Sequence, residues 1–224
     1  MAEPQERNLR EVIVERVRSE IVAGRGAPGT LYSVPVLAEQ MGVSTTPVRE
    51  ALLELSRSGL VAPLKNRGFR VQSISLKELD DLFAMRVLLE RHALELIAER
   101  GLTDAEPLRA LAEAVRGAVA REDMSAYLST DRGFHEALVQ RADNPRMTQM
   151  VLALRDDMRL YGIDTQEGRA RQRASVDEHF RMIDLAVARD RRTIGELITH
   201  HIMGWRPLFA RALEGPTLAA LRAT

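Results

Sequence analysis

The stretch GVSTTPVREALLELSRSGLV, Gly42–Val61, decides how this chain is read. Before it stands VPVLAEQM, a short apolar-periodic run that Gly42 breaks. A new helix is expected from Ser44 onward, with Ser44 or Thr46 as the N-cap. Pro47 is tolerated because first-turn amides lack intrahelical partners. Ala51, Leu52 and Leu55, then Leu60, supply the buried side. A short helix, a glycine turn and a second amphipathic helix form a helix-turn-helix. Such a motif puts the start of its second helix into the DNA major groove. Here that start is Ser44, Thr45, Thr46, Val48 and Arg49. Arg49 suits a guanine edge or a phosphate, and the hydroxyls suit phosphates or base edges.

Working outward, residues 8–23 read as a helix with the apolar stripe Val12, Val14, Val17, Ile21 and Val22, closed by GRGAPG. After Gly59, LVAPLKNRGFRVQSI alternates and contains Gly68, which predicts a two-stranded hairpin. Lys65, Asn66 and Arg67 fall near its tip. Gly68 allows a tight turn and a close approach to the DNA backbone. Three helices and a hairpin in about 65 residues make a winged helix-turn-helix. The whole chain has 32 basic and 32 acidic residues, but Arg49–Gln72 holds five basic and two acidic, a local excess of three positive charges. The zero total therefore hides a patch suited to DNA. The same pattern also fits a small domain used only for packing.

The remainder of the chain is helical in character. Leu, Ala, Arg and Glu dominate, and aromatic residues are 4%, too few for a β-sandwich. SLKELDDLFAMRVLLERHALELIAERG predicts one long helix from Ser75 to Gly101. Further helices are expected at about 104–121, 123–142, 145–161, 170–189 and 191–214, separated by GLTD, RED, DNP, DTQEG and RDR. The fold class is mainly α: an N-terminal winged helix-turn-helix over residues 1–73 and a C-terminal antiparallel six-helix bundle over 74–224. The linker near 73–75 is short, so the two domains are expected to be closely coupled. There are no cysteines, which excludes disulfides, thiol catalysis and cysteine-ligated zinc. With no signal-like start and no membrane-length apolar run, a cytoplasmic, membrane-free protein is expected.

Polar residues on apolar stripes mark the second domain. Asp131 and His135 stand at i and i+4 among Tyr127, Leu128, Phe134 and Leu138. His179 shares a stripe with Val176, Phe180, Ile183 and Val187, and His201 one with Leu197, Ile198 and Trp205. His200 falls on a more polar side and is rejected, and His92 reads as a surface residue. Any one buried histidine can be an ordinary hydrogen-bonded core residue. Three with an aspartate need a common partner, and a divalent cation supplies one if the helices converge. Arg86, among Leu79, Leu82, Phe83, Leu89 and Ala93, is costly unless paired. It is either a salt bridge, with Glu90 or Asp131, or a fork for a carboxylate ligand. Arg155 is a similar candidate. Tyr127 offers a hydroxyl or simply packs.

VERVRSEIVAGRGAPGTLYSVPVLAEQMGVSTTPVREALLELSRSGLVAPLKNRGFRV resembles the DNA-binding domain of GntR-family transcription regulators, over about 60 residues. LAEQMGVSTTPVREAL, then GLV and RGF, carry the resemblance. It strengthens the expectation that the DNA contacts come from the positions already read from the motif: Ser44, Thr45, Thr46, Arg49, Lys65, Asn66, Arg67 and Gly68. The family usually has an arginine at the position of Thr45 and often a polar pair around Val34 and Pro35, so two customary contacts are missing. DRGFHEALVQRADN and DEHFRMIDLAVARDRRTIGELITHHI resemble the metal-binding FCD effector domain of the FadR-type subfamily, over roughly residues 74–214. Six helices suggest its shorter, VanR-like variant. That resemblance implies Asp131, His135, His179 and His201 as ligands to a divalent metal, zinc or nickel.

It also implies an effector cavity reached by an arginine of the first long helix, here Arg86; Arg155 and Tyr127 are the weaker candidates beside it for meeting a small carboxylate effector. The expected protein is a homodimer on palindromic operator DNA, a repressor relieved by an organic acid, with activation as the alternative. Two other readings stand beside it: a sensor in which the ion is the signal, and a metal-dependent hydrolase or lyase. No partner base for the latter appears on the stripes beyond Asp131 itself, and the attached DNA-binding domain argues against it.

Overall fold

The computed structural model describes residues 9–22, 26, 28–72, 74–158 and 163–214. The expected helix starts and ends at 8, 23 and 159–161, most of the GRGAPG turn, and the Val22 side chain lie outside the described residues. The described chain falls into two compact units on either side of the Ile74–Ser75 bond.

The first unit runs α1 (Leu9–Val22), β1 (Leu31–Tyr32), α2 (Val34–Met41), α3 (Thr45–Arg57), β2 (Val61–Leu64) and β3 (Gly68–Val71). Ile13, Val14, Val17 and Ile21 of α1 are buried against Val48, Ala51, Leu52 and Leu55 of α3, with Leu37 and Ala38 of α2 in the same core. Val12, expected on the stripe, is exposed and Ile13 takes its place. Residues 13, 17 and 21 repeat every fourth position, whereas Val12 is rotated one residue off that face. Gly42 ends α2 in the left-handed region at φ 66° and donates to the carbonyls of Ala38 and Glu39. Ser44 is the residue preceding α3, with extended backbone.

The wing departs from the expected two strands. β1 pairs antiparallel with β3, Tyr32 opposite Phe69, so the sheet has three strands in the order β1-β3-β2. Gly68 sits at φ +109°, and a Cβ there would collide with the Tyr32 carbonyl oxygen. The glycine is thus required by a neighbouring strand within the fold. β1 escaped a reading by alternation because it is two residues long.

The second unit contains α4 (Leu76–Arg100), α5 (Glu106–Ala120), α6 (Met124–Gln140), α7 (Pro145–Asp157), α8 (Gln166–Val187), α9 (Arg191–Met203) and α10 (Arg206–Glu214). α4 is the long element against which α6, α7, α8, α9 and α10 pack, and α5 lies on α6 and α8. Ser75 and Glu78 form a full capping box at the start of α4. The breaks read as punctuation are caps: the side chains of Asp123, Asn144, Thr165 and Asp190 each accept from a first-turn amide. Glu122, Asp143 and Arg189, each just before a cap, adopt positive φ and make the turns tight.

The expected final helix, 191–214, is two helices, so the six-helix count that suggested the VanR-like variant becomes seven among the described residues. Pro207 has no N–H to give the Met203 carbonyl, and the chain turns at Gly204 and Trp205. The turn directs Trp205 and Phe209 inward, where Phe209 meets Phe83 with ring centroids 6.1 Å apart.

Candidate nucleic-acid interface and metal centre

In the first unit, Ser44, just before α3, and Thr45, Thr46 and Arg49, on its first two turns, are all exposed. Val48, grouped with them in the sequence, is fully buried and reads no base. Lys65, Asn66 and Arg67 form the exposed tip of the wing. Asn66 takes φ 58°, a conformation that Asn adopts more readily than most residues. Arg67 N–H donates to the Leu64 carbonyl at 3.1 Å and closes the turn. Gly68 is only partly exposed, being covered by β1.

In the second unit, α6 supplies Asp131 and His135, α8 supplies His179, and α9 supplies His201. The three histidines are buried, and one ring nitrogen from each lies within 4.8 Å of the other two. His135 Nε2 and His179 Nε2 face each other at 3.2 Å. Asp131 Oδ1 stands 3.5 Å from His179 Nε2 and 3.9 Å from His135 Nε2. Phe134 stacks on the His179 ring at 4.2 Å between centroids and fixes its plane. His200 is exposed, with its ring nitrogen 3.6 Å from Glu178.

Burial, with the nearby positive charge of Arg155 adding to it, pushes the pKa values of His135 and His179 well below the ordinary 6.5. Both rings are neutral near pH 7 and keep lone pairs. Each neutral ring carries one lone-pair nitrogen, and the tautomers decide which Nε2 donates and which accepts across their contact beside the Asp131 carboxylate. Two nitrogens bound tetrahedrally to zinc at ordinary distances stand ~3.3 Å apart. The 3.2 Å separation of His135 and His179 fits such a donor pair.

Two carboxylates complete the setting. Glu178 Oε2 lies 2.7 Å from His201 Nδ1, and the carboxylate takes both terminal nitrogens of Arg171, at 2.9 and 2.6 Å. Burial works to raise the Glu178 pKa, but the hydrogen bonds from His201 and Arg171 outweigh it and hold the carboxyl at about 2. Glu90 is fully buried on α4. It receives Arg86 Nε at 2.7 Å and Arg155 Nη1 at 3.1 Å. Arg155 Nη2 donates in turn to Asp131 Oδ2 at 2.7 Å. Burial disfavours the Glu90 charge, yet the two arginines more than offset it and its pKa is lowered. Of the two partners weighed for Arg86, Glu90 is the one present. Tyr127 is buried one turn before Asp131, and burial, then the Asp131 charge, keeps its hydroxyl protonated.

Sequence reasoning did not single out Glu178 or Arg171, and it named Glu90 only as a partner. Arg171 and Glu178 are seven residues apart, hence on one helix face, which was the available signal. The Arg86–Glu90 spacing of four carried the other.

Residues 9–71 match the model of the bacterial regulatory proteins, gntR family, and residues 81–204 match that of the FCD domain. The chain is 32% identical over 205 residues to the HTH-type transcriptional regulator BphR of Paraburkholderia xenovorans (strain LB400), covering 88% of this chain and 83% of that one. It is 28% identical to a probable D-xylose utilization operon transcriptional repressor of Paenarthrobacter nicotinovorans, over 97% of both. Among solved structures it resembles E. coli McbR/YncC in fold, with a TM-score of 0.75 and 24% identity over 92% of this chain and 99% of that one. Among the described residues no helix is long and apolar enough to cross a membrane. The exposed start of α3, the wing and these matches converge: the chain belongs to the gntR family of bacterial regulatory proteins, carries an FCD domain, and is a DNA-binding transcription regulator rather than an enzyme.

Proposed function

We propose that residues 1–73 bind operator DNA and that residues 74–224 hold a divalent ion, receive a small carboxylate and dimerise. The ion's ligands are His135, His179, His201 and Asp131. The observation that carries this reading is the facing pair of neutral imidazoles, with a third histidine and a carboxylate beside them. Nitrogen and oxygen donors suit zinc or nickel. The ion supplies a Lewis-acidic centre for a carboxylate when bound. Arg155 holds Asp131 in place, and Tyr127 keeps a hydroxyl on the same helix face. The protein acts as a cytoplasmic repressor, as the name of its relative from Paenarthrobacter suggests for that protein. A homodimer on a palindromic operator follows the same family logic. The acid changes DNA affinity only by binding two conformations unequally.

A second reading, in which the ion itself is the signal, is favoured by one observation. Arg155 commits both terminal nitrogens to Glu90 and Asp131, and Arg86 gives its Nε to Glu90, so less of either guanidinium is left for an anion. Titrating chelator-treated protein with Zn²⁺ or Ni²⁺, then with a panel of organic acids, separates the two. Operator binding and melting temperature are followed throughout. The effector reading requires an acid that raises the melting temperature of the ion-loaded protein and shifts DNA affinity. A switch by ion alone, with no acid bound, selects the sensor. Unchanged ion content in His135→Ala and His201→Ala removes the ligand assignment.

A further inference from the structure

The three histidines do not present their nitrogens under equal control. The Nδ1 atoms of His135 and His179 are buried with no hydrogen-bond partner. His201 Nδ1 has one, the Glu178 carboxylate at 2.7 Å. A carboxylate that also takes two donors from Arg171 has only lone pairs to offer. The proton shared with His201 must come from the ring, which leaves the lone pair on Nε2.

We propose that Glu178, held by Arg171, is the positioning residue of this centre: it commits His201 to the Nδ1–H tautomer and so aims Nε2 at the ion. The inference rests on the metal reading given above and assigns a role that the ligand set alone does not contain. Carboxylates behind ligating histidines fix ring tautomer and orientation in this way and raise ligand basicity.

Arg171 is built for that duty. Its Nη2 also donates to the His201 backbone carbonyl at 2.9 Å, and its guanidinium lies over the Trp205 ring at 5.5 Å. A Cβ on Gly204 would stand 2.8 Å from Arg171 Nε, so glycine at the α9–α10 turn leaves room for the guanidinium. One arginine thus grips the carboxylate, the backbone of the histidine it orients, and the turn that follows. His200 Nε2 lies 3.6 Å from the other Glu178 oxygen but is exposed. The competing account is a plain staple between α8 and α9, which predicts lost stability and unchanged ion binding.

The test uses the full chain, with Zn²⁺ as the probe. The His201 tautomer is read by nitrogen-15 NMR on ion-free protein, and affinity by competition with a chromophoric chelator. Wild type is expected to show Nδ1–H at His201. Glu178→Gln is expected to lose that preference and to bind Zn²⁺ about 10–100-fold more weakly. Glu178→Asp, which keeps the charge, is expected to restore part of the loss. An Nε2–H tautomer in wild type, or wild-type affinity in folded Glu178→Gln, overturns the proposal. Should the glutamine variant not fold, Glu178→Asp carries the test: Nδ1–H with intermediate affinity supports the proposal, and Nε2–H with wild-type affinity overturns it. If wild type binds no Zn²⁺, the metal reading fails, while the tautomer still decides the role of Glu178.

Discussion

Acidification should destabilise the ion-free protein before its carboxylates titrate. His135 and His179 are buried, and burial above all holds both well below 6.5, helped by the charge of Arg155 at His135 and by those of His201 and then Arg155 at His179. In the unfolded chain the same rings titrate near 6.5. Between pH 7.5 and 5.5 the unfolded state therefore takes up protons that the native state refuses. The stability these rings contribute is present above pH 6.5 and is lost as pH falls. For each ring that stays neutral in the native state across that window, the loss is about 1.4 kcal/mol, and about 3 kcal/mol for the two. His201 adds to it with the same sign but less, because its hydrogen bond to Glu178 opposes burial. Glu178 and Glu90 do not intrude: both are lowered from 4.5, so their contributions are lost only below about that pH. The measurement is urea unfolding followed by circular dichroism at half-unit pH steps, with chelator present. Saturating Zn²⁺ should raise the whole curve and leave its slope in place. His179→Phe should remove about half of the slope. A stability curve that is flat or rising toward acid would show that these rings are not held neutral, and the argument for a lone-pair cluster would go with it.

Four further substitutions have defined expected outcomes. Arg49→Ala is expected to abolish most binding to a DNA fragment selected by the wild-type protein from a random pool, and Thr45→Arg to tighten binding and change the selected sequence. A gel shift reading no loss for Arg49→Ala would overturn the docking. Gly68→Ala places a methyl against the Tyr32 carbonyl at φ +109° and should cost roughly 2 kcal/mol, seen as a lower midpoint for unfolding of the first unit. Unchanged stability would contradict the close β1–β3 pairing. Glu90→Ala leaves Arg86 buried with its carboxylate removed and should cost about 3–5 kcal/mol in urea unfolding. A loss under 1 kcal/mol would mean that water or Asp131 replaces it.

Much of the fold is legible because it is written in local chemistry. The α2–α3 turn follows from Gly42 and Ser44, and the helix starts of the second unit follow from Ser75, Asp123, Asn144 and Asp190. Side chains of these last four act on their own next turn, so spacing alone reveals them. Errors fell where the deciding partner is distant in sequence. β1 exists because Tyr32 and Phe69 meet across 37 residues. The last helix breaks at a proline that periodicity overlooked, and the broken end is held by packing against Phe83.

Helical periodicity is local, so the spacing of residues is enough to put three histidines and one aspartate on apolar faces of three helices. The same spacing puts Arg86 four residues before Glu90, within reach on one face. That those faces converge, with two Nε2 atoms 3.2 Å apart, is a property of the packed bundle. So are the sharing of Glu90 by two arginines and the placing of Glu178 and Arg171 behind His201. Convergence depends on how α4, α6, α8 and α9 pack. Packing is a sum over many side chains far apart in the chain, and no single stretch contains it.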